Sequence, residues 1–209
     1  MIITDNTPLA MMTVGQLKEV IRETKAAEEQ QPARTHKYVY GLEGIRQLFG
    51  VGLNTAQKYV HIMTPYLILG HELEDALRFA ARRGVDVSII LPGIPDKRLP
   101  FALAKSHYRT LIEAGVKIYE YTPGFVHAKV FVSDGCKATV GTINLDYRSL
   151  YHHFECAVYC YESDCIKDIE KDFQETLEKS RKITKKTIWK GRPLLKPLSF
   201  VLKIIAPLL

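Results

Sequence analysis

Residues 82–121 read RRGVDVSIILPGIPDKRLPFALAKSHYRTLIEAGVKIYEY, and this stretch decides the fold. Val85–Leu91 is dominated by β-branched and aliphatic residues, the pattern of a strand buried inside a sheet. Leu99–Ala114 has the length of a helix and stops at Gly115, a residue suited to the left-handed conformation that ends helices. Val116–Tyr121 reads as a strand again. Toward the N-terminus, Leu73–Arg83 puts Leu73, Ala76, Leu77 and Ala80 on one helical face and stops at Gly84, and Val60–Met63 before it is a short strand. A β-α-β-α-β run with short loops predicts parallel strands joined by right-handed crossovers. Beyond it the alternation breaks: Ala128–Ser133, Lys137–Gly141 and Glu155–Tyr161 all read as strands. Ile166–Glu178 returns to an amphipathic helix through Ile166, Ile169, Phe173 and Leu177. The fold class is α/β, a mixed sheet flanked by helices.

Charge is distributed unevenly. The chain of 209 residues has a formal net charge of +6, yet Lys179 to the end holds nine basic residues and no acidic one. Residues 1–178 hold 20 basic against 23 acidic residues, a net of −3, so the basic character belongs to the tail. No run of eighteen apolar residues predicts a spanning helix, and the N-terminus has no pattern of a secretory signal. Cys136, Cys156, Cys160 and Cys165, near His152 and His153, invite a zinc reading. Their spacings fit no common zinc motif, and reduced, partly buried thiols are the expectation. No metal and no cofactor is called for.

Three parts are expected. Residues 1–58 form a small helical segment, 59–178 the α/β domain and 179–209 a basic, apolar tail. In the first part, Val14–Thr24 has helical periodicity behind Thr13 as N-cap, and Ala26–His36 reads as a loop. Leu42, Ile45, Leu48 and Phe49, a Gly50-Val51-Gly52 turn and a second helix from Asn54 have the spacing of a helix-turn-helix, which an ordinary helical hairpin shares. The second helix is short for a recognition helix. This stretch weakly resembles small helix-turn-helix proteins of bacterial mobile elements. The tail, PLLKPLSFVLKIIAPLL after RKITKKTIWKGR, suits either the surface of an anionic membrane or packing on the domain.

Chemistry concentrates in GFVHAKVFVSDGCKATVGTINLDYRSLYHHFE, residues 124–155. His127 and Lys129, two apart on an expected strand, project from one face, with Val126, Ala128, Val130 and Val132 as apolar neighbours. An imidazole beside an ammonium is stabilised when an anion lies between them, and a phosphate supplies one. Gly141 permits close backbone approach, and Thr142 and Asn144 offer donors to phosphate oxygens. Glu155 is placed to accept a proton from the far nitrogen of His127, fixing the tautomer and leaving the other nitrogen nucleophilic. Tyr119, Tyr121, Phe125, Tyr147, Tyr151 and Phe154 flank these residues either as core or as a substrate channel. Asp146 and Arg148 form a local pair or a solvated turn.

His127-x-Lys129, Asp134 and Gly141-Thr142-x-Asn144 together resemble the HKD signature of the phospholipase D superfamily, with Thr142 where serine is common. Residues from about Lys58 onward further resemble the C-terminal half of bacterial cardiolipin synthases, on KYVHIMTPYLIL, RGVDVSIILPGIPDK, AGVKIYEYTPGFVHAKVFVSD and VGTINLDYRSLYHHFECAV. The resemblance implies phosphatidyl transfer, phosphatidylglycerol to cardiolipin plus glycerol, through a phosphohistidine. It makes His127 nucleophile or general acid, Lys129, Thr142 and Asn144 the phosphate grip, and Glu155 the orienter. Asp134 is counted with the catalytic set by that signature, although its place after a strand suits a structural role in the loop. The implied partners are anionic phospholipid and a membrane surface, at the cytoplasmic side of the cell membrane. The family uses two HKD motifs at one site and this chain carries one, so a homodimer is expected to complete it. Two alternatives compete: a single-motif phosphodiesterase or nuclease acting as a homodimer on nucleic acid, and a non-catalytic DNA-binding fusion.

Overall fold

Seven strands pair in the order β6-β5-β4-β1-β2-β3-β7 in a computed structural model that describes residues 52–152 and 154–189. They are β1 (Tyr59–Met63), β2 (Asp86–Pro92), β3 (Lys117–Tyr121), β4 (Val130–Ser133), β5 (Lys137–Gly141), β6 (Ala157–Tyr161) and β7 (Ser180–Ile183). The helices are α1 (His71–Arg82), α2 (Arg98–Ala114), α3 (Cys165–Glu178) and the short α4 (Lys185–Trp189). β1, β2 and β3 are parallel, as the β-α-β-α-β pattern predicts. β4, β5 and β6 continue from β1 as an antiparallel meander.

Side-chain alternation along the strands divides the core into two layers. Val60, Ile62, Val87, Ile89 and Ile118 pack with Leu77 and Ala80 of α1 and with Ala104, Tyr108 and Leu111 of α2. Met63 and Ile90 point the other way and pack on Phe173 of α3. β2, between two parallel neighbours, is buried from Val87 to Pro92, which explains why its sequence reads as a nearly continuous apolar run. Gly115 ends α2 at φ 105°, and its N–H returns to the carbonyls of Ile112 and Leu111.

Three findings modify the sequence expectations. Leu53 and Ala56 are buried in the main core cluster, upstream of the boundary expected near residue 58. Residues 52–55 are helical and the chain bends before β1; the rest of the helix-turn-helix segment lies outside the described residues. The tail expected from residue 179 instead begins with β7, which pairs antiparallel with β3. Only Ile183 of β7 is buried, so its charged sequence, SRKI, hid it. Arg181 of β7 donates to the buried Glu120 carboxylate at 2.7 Å, and this pair anchors the strand. Ile188 of α4 packs against the core. Residues 190–209 lie outside the described residues.

Candidate active site

Because β4 runs antiparallel to β1, with Met63 opposite Val130, the start of β4 lies at the carboxyl ends of the parallel strands. β5 ends there too, at Gly141 opposite Ala157, where β6 begins. The topology therefore gathers His127 and Lys129, the loop after Gly141, and Glu155 at one end of the sheet. The loops that follow β1, β2 and β3 open at the same end, where open α/β sheets generally bind ligands.

His127 and Lys129 lie in irregular chain just before β4, not on the strand that the sequence led us to expect. The Lys129 ammonium donates to His127 Nδ1 at 3.0 Å and to the His127 carbonyl at 2.7 Å. An ammonium has no lone pair, so Nδ1 accepts, and the neutral ring carries its proton on Nε2. Burial lowers the Lys129 pKa, while the Glu155 and Asp146 carboxylates push it back up. Asp146 is a contributor that sequence reasoning treated only as a local loop residue. It is 7% exposed and accepts the Ser149 N–H at 2.7 Å.

Gly141 is required by contact. A Cβ there would lie 2.2 Å from the Cys156 carbonyl oxygen, so only glycine lets β5 approach β6 this closely. That approach sets Thr142 beside Glu155: the Thr142 hydroxyl donates to Glu155 Oε2 and accepts the Cys156 N–H at 3.0 Å. The expected hydrogen bond from His127 to Glu155 is not formed among the described residues. In this arrangement Thr142 holds the carboxylate, and Lys129 holds the imidazole. Asn144 donates its Nδ2 to Ser149 Oγ at 3.2 Å, leaving Oδ1 buried without a partner. Turning this amide over satisfies the oxygen with the Ser149 hydroxyl and frees Nδ2 as a donor.

Asp134 stands apart, at the far end of β4. Its carboxylate accepts the backbone N–H groups of Gln57 and Lys58 at 2.8 Å and of Tyr59 at 2.9 Å. Burial pushes its pKa up, but these three donors outweigh burial and hold it below the ordinary aspartate value. Its φ of 53° places it in the left-handed turn between β4 and β5. This is the structural role; the carboxylate is removed from His127.

The flanking aromatics divide. Tyr119 and Tyr121 pack against Met63, Ile90 and Phe173 as core. Phe125 is 39% exposed, with its ring 5.8 Å from the His127 ring, and Phe154 is fully exposed. Cys160 and Cys165 face each other at 3.6 Å between sulfurs, and burial pushes the Cys160 thiol up to about 11. Among the described residues no cluster of three or more His, Cys, Asp or Glu side chains is placed to hold a metal ion. No described helix is long and apolar enough to cross a membrane.

A mixed sheet with a histidine, a lysine and hydroxyl and amide groups converging at one end defines the class of phospholipase D-like, phosphodiester-transferring or -hydrolysing proteins. The chain belongs to the cardiolipin synthase, PLD-like domain family, whose model matches residues 52–177. It is 37% identical over 167 residues to cardiolipin synthase 2 of Bacillus anthracis, covering 80% of this chain and 32% of that protein. It is 64% identical over 157 residues to an uncharacterized protein of Streptococcus mutans, covering 75% and 34%. The chain thus spans about a third of the length of these curated relatives. In fold it is similar to a phospholipase D family member of Salmonella typhimurium, at TM-score 0.62 and 20% identity, covering 71% of this chain and 97% of that one. It is also similar to phosphatidylserine synthase of Haemophilus influenzae, at TM-score 0.63 and 18% identity, covering 98% and 54%.

Proposed function

We propose that the chain is one half of a cardiolipin synthase-like phosphatidyltransferase, acting on phosphatidylglycerol through a phosphohistidine at His127. The observation that carries this reading is the convergence of His127, Lys129, Thr142, Asn144 and Glu155 at one end of the sheet, with the Lys129 ammonium against the imidazole. An arriving phosphodiester offers the ammonium a better acceptor than Nδ1. Lys129 then moves to a phosphate oxygen, and the ring is released from the tautomer it holds at rest. Thr142 and the freed amide of Asn144 add neutral donors to the same oxygens, and this donor set stabilises the charge that builds at phosphorus.

The first step forms a P–N bond to His127 and breaks the P–O bond to glycerol, whose oxygen takes a proton. In the second, the hydroxyl of another phosphatidylglycerol attacks phosphorus, the P–N bond breaks, and the hydroxyl proton passes to a base. Each step needs both a nucleophile and an acid or base, and this chain carries one HKD histidine. A second copy of the chain supplies the other, with two His127 side chains sharing a site across a twofold axis. The proposed setting is the face of an anionic membrane.

The test uses phosphatidylglycerol carrying a radioactive phosphate. Acid-labile, base-stable label on the protein that is lost in His127→Ala, together with cardiolipin as product, supports the reading. Cleavage of an oligonucleotide without action on phosphatidylglycerol would assign the site to nuclease chemistry instead. Mixing wild-type chains with excess His127→Ala chains tests the dimer: activity per wild-type chain should fall steeply, whereas a constant value means that one chain suffices.

A further inference from the structure

On the side of His127 away from β5, the loops after β1, β2 and β3 and the start of α2 line a small open cleft with Pro65, Tyr66, Pro92, Asp96, Phe101 and Phe125. The cleft adjoins the reacting group, because Phe125 lies against the His127 ring. Gly93 ties the loop after β2 to the end of β3: its N–H donates to the Tyr121 carbonyl at 2.8 Å, and a Cβ there would lie 2.6 Å from that oxygen. The walls are proline and aromatic. Against them stands one polar pair, the Tyr66 hydroxyl donating to Asp96 Oδ2 at 2.5 Å, with Lys97 N–H on the other carboxylate oxygen at 2.6 Å.

We propose that this cleft receives a hydroxyl of the neutral alcohol arm of the phosphodiester, a glycerol headgroup lying across its open mouth, with Asp96 and Tyr66 as the hydrogen-bond partners. The proposal rests on the phosphatidyl-transfer reading and adds what selects the alcohol.

Charge and surface chemistry both support it. A glycerol unit offers C–H faces to proline and aromatic rings and O–H donors to a carboxylate, which keeps free lone pairs beyond the two bonds it accepts. Tyr66 stays neutral, since burial and then the Asp96 hydrogen bond push its phenol up to about 12. No basic side chain lines the cleft among the described residues. Lys105, one of the basic residues of α2, lies over the Phe101 ring at 4.2 Å and is 3.9 Å from Glu120. Among the described residues Asp96 is the one charged side chain in the lining, so a second phosphate there would face a carboxylate, whereas a polyol would donate to it.

The experiment compares dihexanoyl phosphatidylglycerol with dihexanoyl phosphatidylmethanol, which shares its phosphodiester and acyl chains but has no headgroup hydroxyl. Both are titrated below their micelle concentrations into the full chain, with NMR of ring-labelled tyrosine as the readout. Phosphatidylglycerol should bind roughly tenfold tighter, the worth of one hydrogen bond to a charged group, and should shift Tyr66. Asp96→Asn and Tyr66→Phe, both close in shape to the native residues, should each bring the ratio to within about twofold and leave phosphatidylmethanol binding unchanged. Equal affinity in the native protein, or a preference that survives both substitutions, overturns the subsite while leaving the transferase reading standing. If neither lipid binds, both fall together.

Discussion

The two ends of β4 carry parts of one sequence signature and solve opposite problems. At its start, His127 and Lys129 donate and accept within a cluster whose hydrogen bonds are incomplete: the imidazole is held by one ammonium, and the Asn144 amide has one side-chain partner, Ser149. At its end, Asp134 is saturated by three backbone N–H groups. Unsatisfied polar groups are costly and are kept where a ligand will complete them, while a saturated carboxylate fastens chain to chain. The motif is therefore half chemistry and half fastening, and substitutions at its two ends should separate activity from stability.

The largest expected effect is at the chemical end. His127→Ala should lower the proposed phosphatidyl transfer by at least about 10³-fold while leaving the thermal unfolding midpoint in place. Retention of activity within tenfold, about 1.4 kcal/mol of barrier, would sink the assignment. At the fastening end, Asp134→Ala should cost about 3 kcal/mol of unfolding free energy, measured in urea, because three N–H groups lose a charged acceptor. The sign of its pH dependence follows from a depressed folded pKa. The contribution is complete above the unfolded value near 3.9 and is lost as pH falls through the lower folded value. The gap between native protein and variant should thus be constant at neutral pH and close in acid. A gap that widens in acid would contradict the role given to this carboxylate.

Gly141→Ala joins the two behaviours and should cost about 2 kcal/mol, as overpacking of β5 against β6, together with a loss of activity as Thr142 and Glu155 are pushed apart. Unchanged urea midpoints would mean that the Cys156 carbonyl relaxes at no cost. The smallest effect belongs to Thr142→Ser, which keeps the hydroxyl between Glu155 and Cys156. Transfer rates should stay within about threefold, whereas Thr142→Val should fall well below that range in the same assay.

Much of this was legible because the signals were periodic. The central parallel strands announce themselves by apolar runs, and α1 and α2 by helical spacing with glycine stops. The candidate site residues were legible as a spaced set, since His127, Lys129, Thr142, Asn144 and Glu155 are close in sequence and come from consecutive parts of the chain. What sequence spacing could not convey was their bonding. The Thr142–Glu155 contact depends on the β5–β6 register, and the Asp134 contact depends on β4 returning to pair with β1. β7 was missed because a four-residue edge strand with one buried side chain has no alternation to detect. Asp96 and Tyr66, 30 positions apart, meet only because β1 and β2 are parallel neighbours whose loops open at the same end.

The place of β4 beside β1 also bears on how the chain is made. Lys58 and Asp134 are 76 positions apart, and every residue between them must leave the ribosome before that edge is covered. Until then a nascent β1-β2-β3 unit presents the outer rim of β1 as an open template, with Val60, Ile62 and Met63 along it. Such late closure slows folding and exposes intermediates to misassociation. In refolding, pulse-labelled amides of β2 should gain protection before those of β4, and weakening the Asp134 clasp should raise aggregation yield more than it lowers the final stability would suggest. Simultaneous protection of the two strands would show that the whole sheet condenses in one step.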